Sequence, residues 1–316
     1  MTGVCLLRVY RKVIMVDLSH LFAITLTLGA AVANASQNVF VRKGTDEGKA
    51  FDAVMIVMLI NSAVLIPGVV LLYYPEYHLT RFSWISFIGA GLFGTLLGRM
   101  LTYTSIDTIG ASRTAPIVAS QALFATVFGI LVLGESLTPI HGLGIVLIVS
   151  GVSLITWETS HNSLNNIPRR ELLIGLVIPF GAAIAYGAEP IFASTGFNEG
   201  TPAPVGLAIK TASATLGFTL YLRWKGTLPA MSGLYTKNSR WFVLAGISNT
   251  LFLVGYYVAL EIAPVNVVVP VLITNTLFTV FLSAAFLPKR LENVTWKIVA
   301  AATIVVVGVV TVTLQG

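Results

Sequence analysis

Long apolar runs, each separated from the next by a short polar break, extend through the whole sequence. A helix needs about 20 such residues to cross roughly 30 Å of hydrocarbon. Only 10% of the residues are charged, against about 25% in a soluble domain, so the chain lacks the groups for a fully hydrated surface. The sequence therefore predicts a polytopic membrane protein. Its fold is expected to be all-α, because a backbone group without a hydrogen bond is costly in lipid.

Ten of the apolar runs are long enough to be membrane-spanning helices. None of the breaks between them is long enough for a second domain, and the longest are 158–171 and 223–240. The predicted spans are roughly 18–41, 52–73, 82–105, 110–133, 138–157, 172–193, 203–222, 241–260, 264–287 and 294–314.

Two parts of the sequence resemble each other. Residues 29–48 align with residues 181–200 at a constant shift of 152, and further along the chain the shift becomes 154. Identical pairs at the first shift include Gly29 with Gly181, Ala31 with Ala183, Phe40 with Phe192 and Gly48 with Gly200. At the second shift, Tyr103 aligns with Tyr257, Pro116 with Pro270 and Gln121 with Asn275.

This internal similarity predicts a duplicated unit of five spans. The first unit is residues 18–157 and the second is residues 172–314, joined by residues 158–171 and preceded by a tail, 1–17. Met15 is an alternative start of the chain. Because five is an odd number, the second unit enters the membrane from the opposite face, which makes an inverted repeat. Inverted repeats recur in secondary transporters, whose substrate site lies near the midplane of the bilayer.

Several short motifs carry a family resemblance. Gly-Glu-Ser-Leu-Thr at 134–138 follows the fourth span, a glycine-rich fifth span covers 141–151, and Lys210 follows Pro204 in the seventh span. With two five-helix halves, this combination resembles the EamA domains of the drug/metabolite transporter superfamily. The second unit departs from the pattern, with Pro-Lys-Arg-Leu at 288–291. The resemblance implies export or exchange of small metabolites.

Lys and Arg residues are distributed unevenly between the two sets of loops. The loops after the odd-numbered spans, with their flanks, hold 13 of them, and the opposite face holds 4. The positive-inside rule then places both termini outside the cytoplasm, whereas the resemblance implies cytoplasmic termini, so the orientation stays open. Because the basic residues lie in loops, the net charge of +6 predicts no nucleic-acid partner. The expected location is the cell (plasma or inner) membrane, with lipids as partners.

Three charged residues fall well inside predicted spans: Arg99, Glu189 and Lys210. A charge at this depth usually faces a wet cavity or a partner. One interpretation is a central site in which Arg99 or Lys210 binds an anionic group such as a carboxylate or a phosphate. The alternative is a structural ion pair between Glu189 and Lys210. Glu189 is also the candidate for proton coupling, because burial favours the protonated form of a carboxyl group.

Uncharged polar residues extend this candidate site. Gln121 and Asn275 are repeat equivalents, each a few residues after a shared proline, and equivalents at one depth suit a pocket on the pseudo-twofold axis. Asn249, Tyr103 and Tyr257 are the other candidates for substrate binding. The alternative roles are interhelical hydrogen bonds for the amides and an interfacial aromatic belt for the tyrosines.

Enzyme-like patterns are weak in this sequence. Gly-Ala-Gly-Leu-Phe-Gly at 89–94 fits the dinucleotide fingerprint, but that fingerprint needs a strand–turn–helix unit, so a helix-packing face is the better interpretation. No catalytic residue, metal site or cofactor is predicted. We expect a secondary transporter of small polar metabolites, such as amino acids or organic anions, with protons as a candidate coupling ion. The alternatives are a membrane-embedded enzyme and a non-transporting scaffold or receptor; the oligomeric state is left open.

Overall fold

The computed structural model describes residues 2–44, 50–109, 117–159, 169–226, 239–286 and 296–313, and within these ranges the chain is helical and forms no strand. Two short π-helical segments, Ala90–Gly98 and Gly129–Leu133, interrupt the α-helices. The α-helices are α1 Thr2–Gly44, α2 Ala50–Tyr73, α3 Arg81–Gly89, α4 Arg99–Ile109, α5 Gln121–Phe128, α6 Pro139–Thr159, α7 Arg169–Asn198, α8 Ala203–Trp224, α9 Ser239–Ile262, α10 Val265–Ile273, α11 Asn275–Phe286 and α12 Trp296–Thr313.

Six helical segments are long and apolar enough to cross a membrane: Ser19–Gly44, Val54–Tyr73, Arg81–Thr102, Val177–Asn198, Ala203–Trp224 and Arg240–Ile262. Four shorter apolar helices are Ile117–Leu133, Pro139–Leu154, Val265–Thr279 and Thr303–Val312. Each of these segments overlaps one of the predicted spans. The protein is an integral membrane protein with a helical fold, whereas ten crossings and an inverted repeat stay predictions.

Helix α1 begins at Thr2, so residues 2–17 continue the helix that enters the first predicted span. The boundary drawn at residue 17 between a tail and the first unit stays a prediction, as do the other unit boundaries. The loop predicted at 158–171 lies largely outside the described residues, which resume at Arg169.

The outward-facing surfaces of the helices are apolar. Leu71 and Leu72 are about four-fifths exposed, and Leu131 and Val177 are similarly open. In water such a surface would drive aggregation, but in a bilayer it is the surface that contacts acyl chains. The polar side chains must therefore find their partners inside the bundle.

Glycines allow the helices to approach closely on the inside. A Cβ atom on Gly91 would lie 2.5 Å from the carbonyl oxygen of Lys210, and one on Gly94 would lie 2.5 Å from the Cβ of Glu189. This stretch of glycines packs the third predicted span against α7 and α8, which confirms the prediction of a packing face. In the glycine-rich fifth span, Gly151 meets α12, since its Cβ would lie 2.9 Å from the carbonyl oxygen of Ala301.

Four short connections meet at one end of the bundle, which we call the turn face: residues 74–80, 134–138, 199–202 and 263–264. The first and third are linked, because Thr80 donates a hydrogen bond to Glu199 over 3.0 Å and Thr201 donates one to the carbonyl oxygen of His78 over 2.8 Å. Residues 134–138 and the start of α10 are linked through Glu135. Glu261, just before residues 263–264, accepts a hydrogen bond from the backbone of Ala203, just after residues 199–202. This bond connects the first pair of linked segments to the second.

Candidate functional site

A cavity of about 480 Å³ lies among the helices. This volume is in the range of small-molecule sites in proteins, roughly 300–1,000 Å³. Of the eight residues predicted for the site, the six that line the cavity are Arg99, Gln121, Glu189, Lys210, Asn249 and Asn275. They come from six different helices, so the cavity is a product of the tertiary structure.

The cavity lies on the far side of an ion pair from the turn face. Lys210 follows Ala203, at the turn face, by seven residues, which is about 10 Å of helix. Arg99 lies much further along its span, roughly 25 Å from Arg81 at that face. Both residues line the cavity, so the cavity extends away from the turn face.

The buried ion pair joins α7 to α8. The ammonium Nζ of Lys210 lies 2.5 Å from Oε1 of Glu189, and both residues are more than nine-tenths buried. The hydroxyl of Tyr257 donates a second hydrogen bond to the same Oε1 over 3.3 Å. The ammonium also lies 4.7 Å from the centre of the Tyr257 ring. Glu189 therefore has two donors, and Lys210 has both a carboxylate and an aromatic face.

Arg99 is the third charged residue of the cavity. Its side chain is partly buried and lines the cavity wall, and among the described residues it has no carboxylate within ion-pair distance. Two cations and one anion give the site one excess positive charge. Buried charges are normally paired, so an anionic ligand at Arg99 stays a prediction that this charge balance favours.

Two residues that were not predicted from the sequence, Thr95 and Thr102, also line the cavity. They stand four residues before and three residues after Arg99, which is the spacing that places side chains on one face of a helix. That spacing is the signal by which they could have been found.

Asn249 belongs to a chain of hydrogen-bonded side chains along one wall. Its amide nitrogen donates to Oε1 of Gln37 over 2.6 Å, and its oxygen accepts from the amide of Asn61 over 2.6 Å. Thr250 in turn donates to the oxygen of Asn61 over 2.8 Å. The wall therefore joins the first, second and eighth predicted spans. Asn249 and Gln37 are thus held at the cavity by interhelical hydrogen bonds, and the role of Asn249 in substrate binding stays a prediction.

The sequence predicts two tyrosines, Tyr103 and Tyr257, for the binding site. Tyr257 is fully buried beneath the cavity and is not part of its lining. Its neighbour Tyr256 lines the cavity instead, as does Tyr186. The side chain of Tyr103 lies outside the part of the structure that is described, although its backbone belongs to α4. The binding roles assigned to all of these residues stay predictions.

The motif at 134–138 has a structural role that the resemblance did not specify. Both oxygens of the Glu135 carboxylate accept hydrogen bonds at the start of α10, from the backbone nitrogen of Val265 over 2.7 Å and from that of Asn266 over 3.0 Å. Burial raises the pKa of Glu135, an effect opposed by these two backbone donors and by nearby His141. Glu135 lies on the turn face, outside the cavity.

The described residues contain no group of three His, Cys, Asp or Glu side chains placed to hold a metal ion. The arrangement of the cavity is suited to binding by hydrogen bonds and charge.

Both the sequence and the fold are similar to those of known proteins. Residues 21–157 match the family model of the EamA-like transporter family. The matched stretch is similar to that family and contains the motif at 134–138 on which the resemblance was based. No curated protein matches the sequence.

The fold of this chain is similar to that of 29 chains among solved structures. One crystal structure superposes with a TM-score of 0.74 and covers 92% of this chain and 96% of that chain, at 16% sequence identity. The superposition shows a shared fold over nearly the whole chain, and at this low sequence identity it shows the fold alone.

Proposed function

We propose that the protein is a secondary transporter, an exporter or exchanger, that moves a small polar metabolite across the cell (plasma or inner) membrane. The match of residues 21–157 to the EamA-like transporter family supports a transporter of the drug/metabolite type. The polar cavity inside an apolar bundle supports a binding site for a small molecule near the middle of the membrane. The proposed substrates are amino acids and organic anions.

The single observation that carries the substrate class is the unmatched positive charge of the cavity. Lys210 has Glu189 as its partner, whereas Arg99 faces the cavity without a carboxylate among the described residues. A guanidinium binds a carboxylate or phosphate through two parallel hydrogen bonds. Gln121, Asn275 and Asn249 supply amide groups around it for the polar remainder of the substrate.

Glu189 is the proposed site of proton coupling. It is the carboxylate of the cavity, and its one described ionic partner is Lys210. Its repeat equivalent, Gln37, does not titrate, so coupling at this position would involve only one of the two units. Loss of the negative charge on Glu189 would free Lys210 to bind an anionic substrate.

The proposed mechanism is alternating access around the cavity, with two inverted five-helix units. Hydrogen bonds join the connections of the turn face, and the cavity lies away from them; both features support a conformation that is closed at the turn face. Transport requires a second conformation in which the turn face opens.

Uptake into proteoliposomes tests this proposal. Amino acids, nucleosides and organic acids are screened with and without a pH gradient, using wild type, Arg99→Ala and Lys210→Ala. Arg81→Ala is the matched control, because Arg81 is exposed at the turn face, away from the cavity. We expect uptake of at least one anionic compound by wild type and the control, and its loss in the two cavity variants. Unchanged uptake in both cavity variants would remove the assigned site, and no effect of the gradient would remove the coupling role of Glu189.

Cysteine labelling tests the inverted repeat. Cys5 is the single cysteine of the chain, so Cys5→Ser provides a clean background for Glu76→Cys and Lys225→Cys. These positions follow the second span of each unit. An inverted repeat places them on opposite sides of the membrane, so an impermeant maleimide added to one side should label only one of them. Labelling of both from the same side would contradict the inversion.

A further inference from the structure

Glu135 connects the first half of the chain to a helix of the second half. Its carboxylate accepts the backbone N–H groups of Val265 and Asn266, the first two residues of α10. The first N–H groups of a helix have no partner within the helix, and the N-terminus carries a partial positive charge. A carboxylate that accepts two of them is therefore a strong, directional contact.

The loop that carries Glu135 is shaped for this contact. Gly134 has a φ of 69°, in the left-handed region that glycine adopts easily, and it ends the π-helical segment before the loop. The backbone nitrogen of Glu135 then donates to the carbonyl oxygen of Gly129 over 3.2 Å. Gly129 also leaves room for the carboxylate, since a Cβ at this position would lie 2.5 Å from Oε2 of Glu135.

Asn266 makes further contacts at this junction between the 134–138 loop and the start of α10, through its side chain and its carbonyl group. Its amide donates to the carbonyl oxygen of Ser136 over 3.0 Å, and its own carbonyl oxygen lies 2.9 Å from Nε2 of His141. Asn266 and His141 are each only 3% exposed. The junction is therefore a buried polar network, in which loss of one partner affects the others.

Helix α10 links this junction to the cavity. All nine of its residues are buried, and Val269, Leu272 and Ile273 form part of the cavity wall. Close-packed helices move as units rather than deform continuously. A displacement of the first turn of α10 at the turn face would therefore shift the wall of the cavity.

We propose that Glu135 is a positioning residue for transport: its carboxylate holds the first turn of α10 and keeps the cavity closed at the turn face, and this contact breaks when that face opens. The inference rests on the proposed transport function. At the repeat shift of 154, the position equivalent to Glu135 in the second unit is Lys289, which is not a carboxylate.

Accessibility of α10 provides the test. Val267, which is 2% exposed, lies just inside the clamp, and Val267→Cys in the Cys5→Ser background reports access of an impermeant maleimide to the purified protein. Glu135→Gln should raise the labelling rate about tenfold, the effect expected for loss of a charge-assisted hydrogen bond. Glu76→Gln is the matched control, since Glu76 is an exposed carboxylate on the turn face; its labelling rate should stay within about twofold of the parent's.

Transport kinetics separate positioning from a loss of folded protein. Because Glu135 lies outside the cavity, Glu135→Gln should change the maximal rate and leave the KM within about twofold of wild type. If Glu135→Gln does not fold, Asn266→Ala removes the neighbouring contact to Ser136 and should also raise the labelling of position 267. Equal labelling in folded wild type and variant, or an equal rise in Glu76→Gln, overturns the inference. Absence of transport by wild type contradicts the proposed function instead, whatever the labelling shows.

Discussion

Lys210 and Glu189 lie on neighbouring helices, with their charged atoms 2.5 Å apart and both side chains buried. The sequence allows two roles for this pair, a structural ion pair between helices and a part of the substrate site. The structure shows that it does bond α7 to α8 and that both residues also line the cavity. The two roles are separable by mutation.

The first prediction concerns the stability of this pair. Glu189→Leu or Lys210→Met alone leaves one buried charge without a partner and should destabilise the protein by about 3–5 kcal/mol. The double variant replaces both charges by apolar groups and should recover most of that loss. Thermal unfolding in detergent measures the three variants. Despite its recovered stability, the double variant should not transport; wild-type transport by it would show that the pair is only structural.

The second prediction concerns Arg99. Arg99→Ala removes the excess positive charge of the cavity. It also removes the proposed charge-assisted hydrogen bond to the substrate, which contributes about 1.5–3 kcal/mol to binding. The KM for an anionic substrate should rise roughly 10- to 100-fold. Arg99→Lys keeps the charge without the paired hydrogen bonds and should give an intermediate value. An unchanged KM in Arg99→Ala, measured by initial rates of uptake, would exclude Arg99 from substrate binding.

The third prediction concerns the packing of glycines. Gly91→Ala would place a Cβ atom 2.5 Å from the carbonyl oxygen of Lys210, a backbone atom that cannot rotate away. The variant should lose about 1–3 kcal/mol of stability from overpacking. Gly68→Ala is the control, because no atom lies within 4 Å of a Cβ at that position. A melting temperature of Gly91→Ala equal to that of Gly68→Ala would contradict the close approach of the helices.

The fourth prediction is a pH dependence that originates at Glu135. Burial raises its pKa above the ordinary value of 4.5. The folded state therefore binds the proton more tightly than the unfolded state, and the resulting stabilisation is present at low pH and is lost as the pH rises through the raised pKa. We expect the melting temperature of wild type, relative to Glu135→Gln, to fall as the pH increases from about 4.5. Parallel pH profiles of the two proteins would contradict this assignment.

Much of the fold could be predicted from the sequence, because the bilayer permits few solutions. Each predicted span overlaps an apolar helix of the structure, since a run of this length in lipid has to be helical. The charged residues were informative for the same reason. A charge within a membrane span needs a polar environment, and Arg99, Glu189 and Lys210 all line the cavity.

The direction of each side chain could not be predicted in this way. In a soluble helix the apolar stripe shows which face is buried, but here the outward face is as apolar as the interior, as Leu71 and Leu72 show. Tyr256 and Tyr257 illustrate the consequence. Adjacent in sequence, they point differently: Tyr256 lines the cavity and Tyr257 lies beneath it, bonded to Glu189.

The sequence by itself determined the class of protein, the helical character of its apolar runs and the charged residues that require a polar environment. Only the tertiary structure decided which of those residues meet and what the loop motif does. Glu135 and Val265 are separated by 130 residues, and no local pattern connects them. Their contact exists because helix packing brings a loop carboxylate against the unpaired N–H groups of a distant helix, and such packing depends on the rotation of every helix in the bundle.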